Sequence, residues 1–238
     1  MKLKLAFVST VAALAGSSLT PAADITGSVS FKGTPPAEKE IIELKSDTQC
    51  GPLRTEIPKT RFYVVGPKGE LADVVVSLKG ISGKSTGEQA PPLVIDQMGC
   101  EYLPYVSACQ TKQKVVVKNS DPVMHNVHPS PASGTGNKEH NKAMLPKGPD
   151  LTFRFDAPED FLKFQCDVHR WMFSYVSVFD HPYFAVTGKD GAYKITGVPP
   201  GKYTIVAKHR KAAPAGVEKE IEVRDDGAQV DFEIELKN

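Results

Sequence analysis

The chain predicts an all-β protein built from sandwiches, and three observations carry that prediction. Its 238 residues break into short segments rich in β-branched and aromatic side chains, many of them alternating apolar with polar. Clusters of Gly, Pro, Ser and Asn separate those segments. No segment carries the long 3.6-residue apolar stripe of an amphipathic helix.

In chain order, the strand-like pieces begin with "ITGSVSFKG" from Ile25 and "ADVVVSLKG" from Ala72. "QKVVVKNS", "DLTFRFDAP" and "FSYVSVFD" follow, ending at Asp180, and then "GAYKITGV", "GKYTIVAKH", "KEIEV" and "QVDFEIELK". The intervening "KGTPPAE", "GPKGE", "GKSTGEQAPP", "SPASGTGN", "GKDG" and "VPPGK" are turn chemistry. Asp190-Gly191 suits a tight hairpin, and Pro199-Pro200-Gly201 a rigid turn. Regularly spaced short strands of this kind are the pattern of β-sandwiches.

The first 23 residues read differently. "MKLK" is a basic opening, "LAFVSTVAALAG" an apolar run too short to span a bilayer, and "SSLTPAA" offers small residues for cleavage near Ala22 or Ala23. This predicts a signal peptide over residues 1–23 and an exported, periplasmic protein without a membrane span. Removing Lys2 and Lys4 takes the basic residues from 29 to 27 against 28 acidic ones, a formal charge of −1. That balance argues against a nucleic-acid partner.

Export permits disulfides among the four cysteines, Cys50, Cys100, Cys109 and Cys166. Cys50 and Cys100 sit in loop-like contexts and are the favoured pair. Cys109 lies on or entering a strand, where a buried free thiol is expected. Spacing alone does not fix the connectivity.

"FQCDVHRWMF" places a thiol, an imidazole and a thioether, Cys166, His169 and Met172, within seven residues. Soft ligands of this set suit copper. A second anchor lies some forty residues earlier, in "VVVKNSDPVMHNVH": a strand, a turn at Ser120-Asp121-Pro122, then His125-Asn126. Together, the two segments resemble the ligand motifs of the cupredoxins, with loop spacings most like those of amicyanin, over about Leu93 to Asp180. The resemblance implies a Greek-key sandwich holding one type 1 copper ion that cycles between Cu(I) and Cu(II). It implies His125, Cys166 and His169 as equatorial ligands and Met172 as the long axial one. It further implies that Asn126 ties the two loops together, with its backbone N–H available to the Cys166 sulfur. Trp171 and Phe173 would flank an exposed edge of a histidine ligand, where redox partners dock, or Trp171 would cap the core. "EDFLKFQC" lacks the family's usual Gly-x-Tyr approach to the cysteine.

Of the other histidines, His128 lies three positions beyond His125 on an extended strand and is expected on the opposite face. His140 is expected to be solvated in a polar loop, and His181 and His209 belong to the flanks. Those flanks resemble the small transthyretin-like sandwich of carboxypeptidase regulatory domains, through "DGAYKITGVPPGKY". Residues 24–90 and 181–238 then make either one sandwich split around a copper domain at 91–180 or separate N- and C-terminal modules.

The expectation is a non-enzymatic electron carrier acting between redox proteins of the cell envelope. Two rivals remain. One is a copper store or chaperone using the same residues, and the other is a structural envelope module with a vestigial site. Haem-attachment, dinuclear-copper, phosphate-loop and nucleophile-elbow motifs are all absent from the sequence.

Overall fold

The structure, a computed structural model, describes residues 22–235. The predicted signal peptide lies outside the described residues except for Ala22 and Ala23, the second of which opens the first strand. The chain runs β1 (Ala23–Lys32), a short helix α1 (Ile42–Ser46), a 3-10 turn (Gly51–Leu53) and β2 (Val75–Lys79). Its central part contains β3 (Leu93–Gln97), β4 (Tyr102–Leu103), β5 (Val106–Gln110), β6 (Val115–Asn119) and β7 (His125–Ser130). β8 (Lys142–Met144), β9 (Leu151–Phe153), β10 (Glu159–Gln165) and β11 (Phe173–Phe179) complete that part. The last strands are β12 (Phe184–Val186), β13 (Ala192–Val198), β14 (Gly201–Lys208), β15 (Val217–Val223), β16 (Ala228–Gln229) and β17 (Phe232–Glu235). The protein is all-β, as its sequence predicts.

Four sheets result. The central strands form one sheet ordered β5-β11-β10-β7-β8 and another ordered β4-β3-β6-β9. Parallel pairing of β3 with β6 and of β5 with β11 makes the chain cross between the two sheets. Between them lie Val115, Val117, Phe153, Leu162, Phe164 and Val176, all buried. Full burial of a side chain such as Phe164 contributes about 2–3 kcal/mol.

The flanking strands join one another. β1 pairs with β13, β16 and β17, while β2 lies between β12 and β14, with β15 beyond. Ile25, Leu71, Val76, Ile195, Ile205 and Phe232 share their core. The two predicted turns work at corners of this sandwich rather than within one ladder. Asp190-Gly191 links β12 to β13, and Pro199-Pro200-Gly201 links β13 to β14, and in each case the two strands belong to different sheets. Gly191 holds φ +70°, and a Cβ there would stand 2.6 Å from the Val29 carbonyl oxygen.

Residues 39–61 do not form sandwich strands; α1 and the 3-10 turn lie across the end of the central module. Leu44 packs with Cys50, Cys100, Val123 and Trp171. Arg54 and Arg61 both pair with Glu101, which is buried. Cys50 and Cys100 form a disulfide, and Cys109 and Cys166 are free, buried thiols.

Candidate metal centre

Period-2 alternation delivers the two anchors to one point. Along β7 and the turn before it, Asp121, Val123, His125, Val127 and Pro129 turn inward. In β10 a bulge between Glu159 and Leu162, with Phe161 at φ +52°, resets the register. From there Leu162, Phe164 and Cys166 all face the core. β10 and β7 are neighbours in register, Gln165 opposite His128, so the loop beyond β10 meets the start of β7.

That loop is tight: the Cys166 N–H donates to the Met172 carbonyl at 3.0 Å, and the Met172 N–H to the His169 carbonyl at 2.9 Å. His125 Nδ1 lies 3.1 Å from His169 Nδ1, and Cys166 Sγ lies 3.6 Å from the same His169 nitrogen. The three donor atoms fall within 4.8 Å of one another, and all three residues are buried. Donors bonded to one ion at about 2.0–2.3 Å stand roughly 3–4 Å apart, so this set fits a single soft cation. Met172 is buried at the closing end of the loop.

The surroundings prepare those donors. Burial alone pushes the Cys166 thiol up, but hydrogen bonds from His125, His169 and the Asn126 N–H outweigh it and bring the thiol down to about 6. The Asn126 N–H lies 3.4 Å from Cys166 Sγ, and its side chain receives the Asp167 N–H at 2.6 Å. Asn126 therefore joins the two loops as the resemblance implies.

Asp121 has a role that the sequence did not suggest. It reads there as a turn former, yet its carboxylate is buried and accepts from Gly99 N–H at 2.6 Å and Cys100 N–H at 2.8 Å. It also meets His125 Nε2 at 2.9 Å. With Nε2–H held by Asp121, the neutral ring turns its Nδ1 lone pair toward Cys166 and His169, and the same nitrogen donates to the Cys166 sulfur only when the ring is protonated. Burial works to lower the basicity of His125, but the Asp121 hydrogen bond and the Cys166 sulfur raise it on balance.

The remaining histidines stand apart. His128 faces away from the centre, with Nδ1 on Asp167 at 2.8 Å and Nε2 on Glu139 at 2.6 Å. His140 is partly exposed in its loop, with one side against Phe153. His181 and His209 are buried outside the centre. The predicted exposed histidine edge is not present: His169 is only 4% exposed. The reason is the segment 41–54, whose Cys50 and Asp47 lie against His169. Trp171 packs at a tilt beside His169 and donates its indole N–H to the Cys100 carbonyl at 3.1 Å, so it closes the core here. Phe173 instead joins Phe62, Tyr105 and Tyr175 in a neighbouring aromatic group.

No family model and no curated protein matches the chain. Among solved structures, it is similar to a Cu-containing nitrite reductase from Thermus scotoductus SA-01, at 16% identity and a TM-score of 0.34. That match covers 43% of this chain and 25% of the reductase, so the chain spans about a quarter of that protein's length. An oxidised amicyanin mutant matches at 21% identity and a TM-score of 0.33, covering 43% of this chain and 97% of the other. A Cu(I) form of another amicyanin mutant matches at 20% identity with the same coverage and TM-score.

Proposed function

We propose that this protein is a periplasmic type 1 copper protein that carries single electrons between redox partners of the envelope. His125, Cys166 and His169 would hold one copper ion, with Met172 as a fourth ligand. The carrying observation is the convergence of two imidazole nitrogens and one low-pKa thiol, from distant segments, on one buried point. Bound there, the ion supplies reversible one-electron chemistry. The chain's part is to hold the donors in a fixed arrangement with little room to relax: Asp121 orients His125, Asn126 fixes Cys166, and the fold excludes water.

Copper stoichiometry and an absorption spectrum on the exported protein test this. One copper per chain, with an intense visible thiolate-to-copper band in the oxidised form, is the expected result. Absence of both defeats the proposal.

One observation favours copper handling as a second reading. All four methionines among the described residues (Met98, Met124, Met144 and Met172) lie on strands or loops at this end, and Met98 and Met124 are exposed. Thioethers of that kind recruit Cu(I). A protein that binds copper only as Cu(I) and stays colourless decides for it.

A further inference from the structure

The segment that covers the centre comes from far away in sequence and is fastened covalently. Cys50 on the segment and Cys100 on the central module form the disulfide, and both are fully buried. Their sulfurs lie against the two candidate imidazole ligands: Cys50 groups with His169 and Asp47, and Cys100 with His125 and Asp121, in each case within 4.8 Å. Asp47 accepts from the N–H groups of Gln49 and Cys50 at 2.9 and 2.7 Å within the segment, Leu44 packs in one cluster with Cys50 and Trp171, and Arg54 pairs with Glu101.

α1 is a single turn of five residues without a side-chain cap, so it has little stability of its own. Its place on the module depends on the disulfide, on one small apolar cluster and on the ion pair of Arg54 with the buried Glu101 at the far end of the segment. Loops held by few buried contacts open readily when a covalent tie is removed. With the tie in place, His169 has almost no solvent edge.

We propose that residues 41–54 are a disulfide-fastened strap over the metal centre, and that the thiol–disulfide state of Cys50 and Cys100 sets how fast copper enters and leaves. In the open state both cysteines are thiols and the strap can lift. Closure is thiol–disulfide exchange with an external disulfide: the Cys50–Cys100 bond forms, the external S–S bond breaks, and its two sulfurs leave as thiols carrying the two protons. Since both sulfurs are buried once the strap is down, this exchange happens before it docks. The proposal rests on the copper reading for its cargo but not for the movement of the strap.

The test uses the mature chain and its Cys50→Ser/Cys100→Ser double variant, which leaves all four candidate ligands in place. In the metal-free proteins, histidine carbethoxylation is mapped by mass spectrometry, with the partly exposed His128 and His140 as internal standards. In the copper-loaded proteins, transfer to an excess of a Cu(I) chelator is timed after reduction by ascorbate. Labelling of His169 is expected to rise at least about fivefold in the variant and copper transfer to quicken about tenfold or more. Emission from Trp171, the only tryptophan, should shift to the red. Leu44→Ala loosens the strap with the disulfide intact and should give smaller changes of the same sign; it decides the matter if the double variant does not fold. Unchanged His169 labelling, or unchanged transfer where copper is held, overturns the proposal. Raised labelling in a protein that takes up no copper supports the strap and defeats the copper reading alone.

Discussion

At the scale of single residues, the centre separates donors from the groups that prepare them. Cys166 and Cys109 are both buried free thiols, yet burial pushes Cys109 up to about 12 while its hydrogen bonds bring Cys166 down to about 6. Only the second is poised to ionise near neutrality and bind a metal. Cys166→Ser should therefore abolish the visible copper band, whereas Cys109→Ser keeps it and costs about 1–2 kcal/mol of stability, read by spectroscopy and urea unfolding. Asp121 supports three hydrogen-bond donors at once. Asp121→Ala leaves them buried and unpaired, so it should cost about 3 kcal/mol or more by urea unfolding. It should also weaken copper binding by about 10–100-fold in competition titration. The sequence concealed this residue because Asp before Pro is ordinary turn chemistry; two of its three donors arrive only when the loop of Gly99 and Cys100 folds over it.

At the scale of elements, alternation in the strands was legible and corners were not. The inward run Asp121, Val123, His125, Val127 and the outward placement of His128 follow from period 2 alone. So does the inward face of Cys166, once the bulge at Glu159–Leu162 is allowed for. The hairpin expected at Asp190-Gly191 became a corner instead, because its glycine pairs with the backbone of β1, the sheet partner of β13, and not with β12. A side chain there meets both a left-handed backbone and the Val29 carbonyl. Gly191→Ala should thus cost about 1–3 kcal/mol, measured by thermal or denaturant unfolding. α1 was illegible for the opposite reason: one helical turn carries no periodicity, and its apolar Leu44 matters only against Trp171 and the disulfide.

At the scale of the whole molecule, two linkages are measurable. The proposed copper site exists only where loops from β7 and β10 meet, an arrangement the unfolded chain lacks, so added copper should raise the unfolding temperature by mass action. At a hundredfold excess over Kd the gain is about 2.7 kcal/mol, visible in a thermal melt. The flanking sandwich contributes its own pH dependence through His209, which burial and then its neighbours Arg210 and Lys211 push down to about 4 from its ordinary 6.5. The unfolded chain takes up a proton below 6.5 and the folded protein only near 4, so stability falls as pH drops through that window. The loss is about 3 kcal/mol from this group. His209→Gln should flatten that part of the metal-free protein's stability curve, compared by urea unfolding at pH 7.5 and 4.5.

The sequence by itself determined the all-β class, most strand positions and the soft-ligand pattern of His125, Cys166, His169 and Met172. These are properties of residue type and short-range period, which any chain carries before it folds. Only the tertiary structure decided that the Gly99–Cys100 loop folds over Asp121, that the Asp190-Gly191 turn spans two sheets and that residues 41–54 cover His169. Each of those joins segments whose partners are set by packing and by one covalent bond between Cys50 and Cys100, and sequence spacing holds no record of such a meeting.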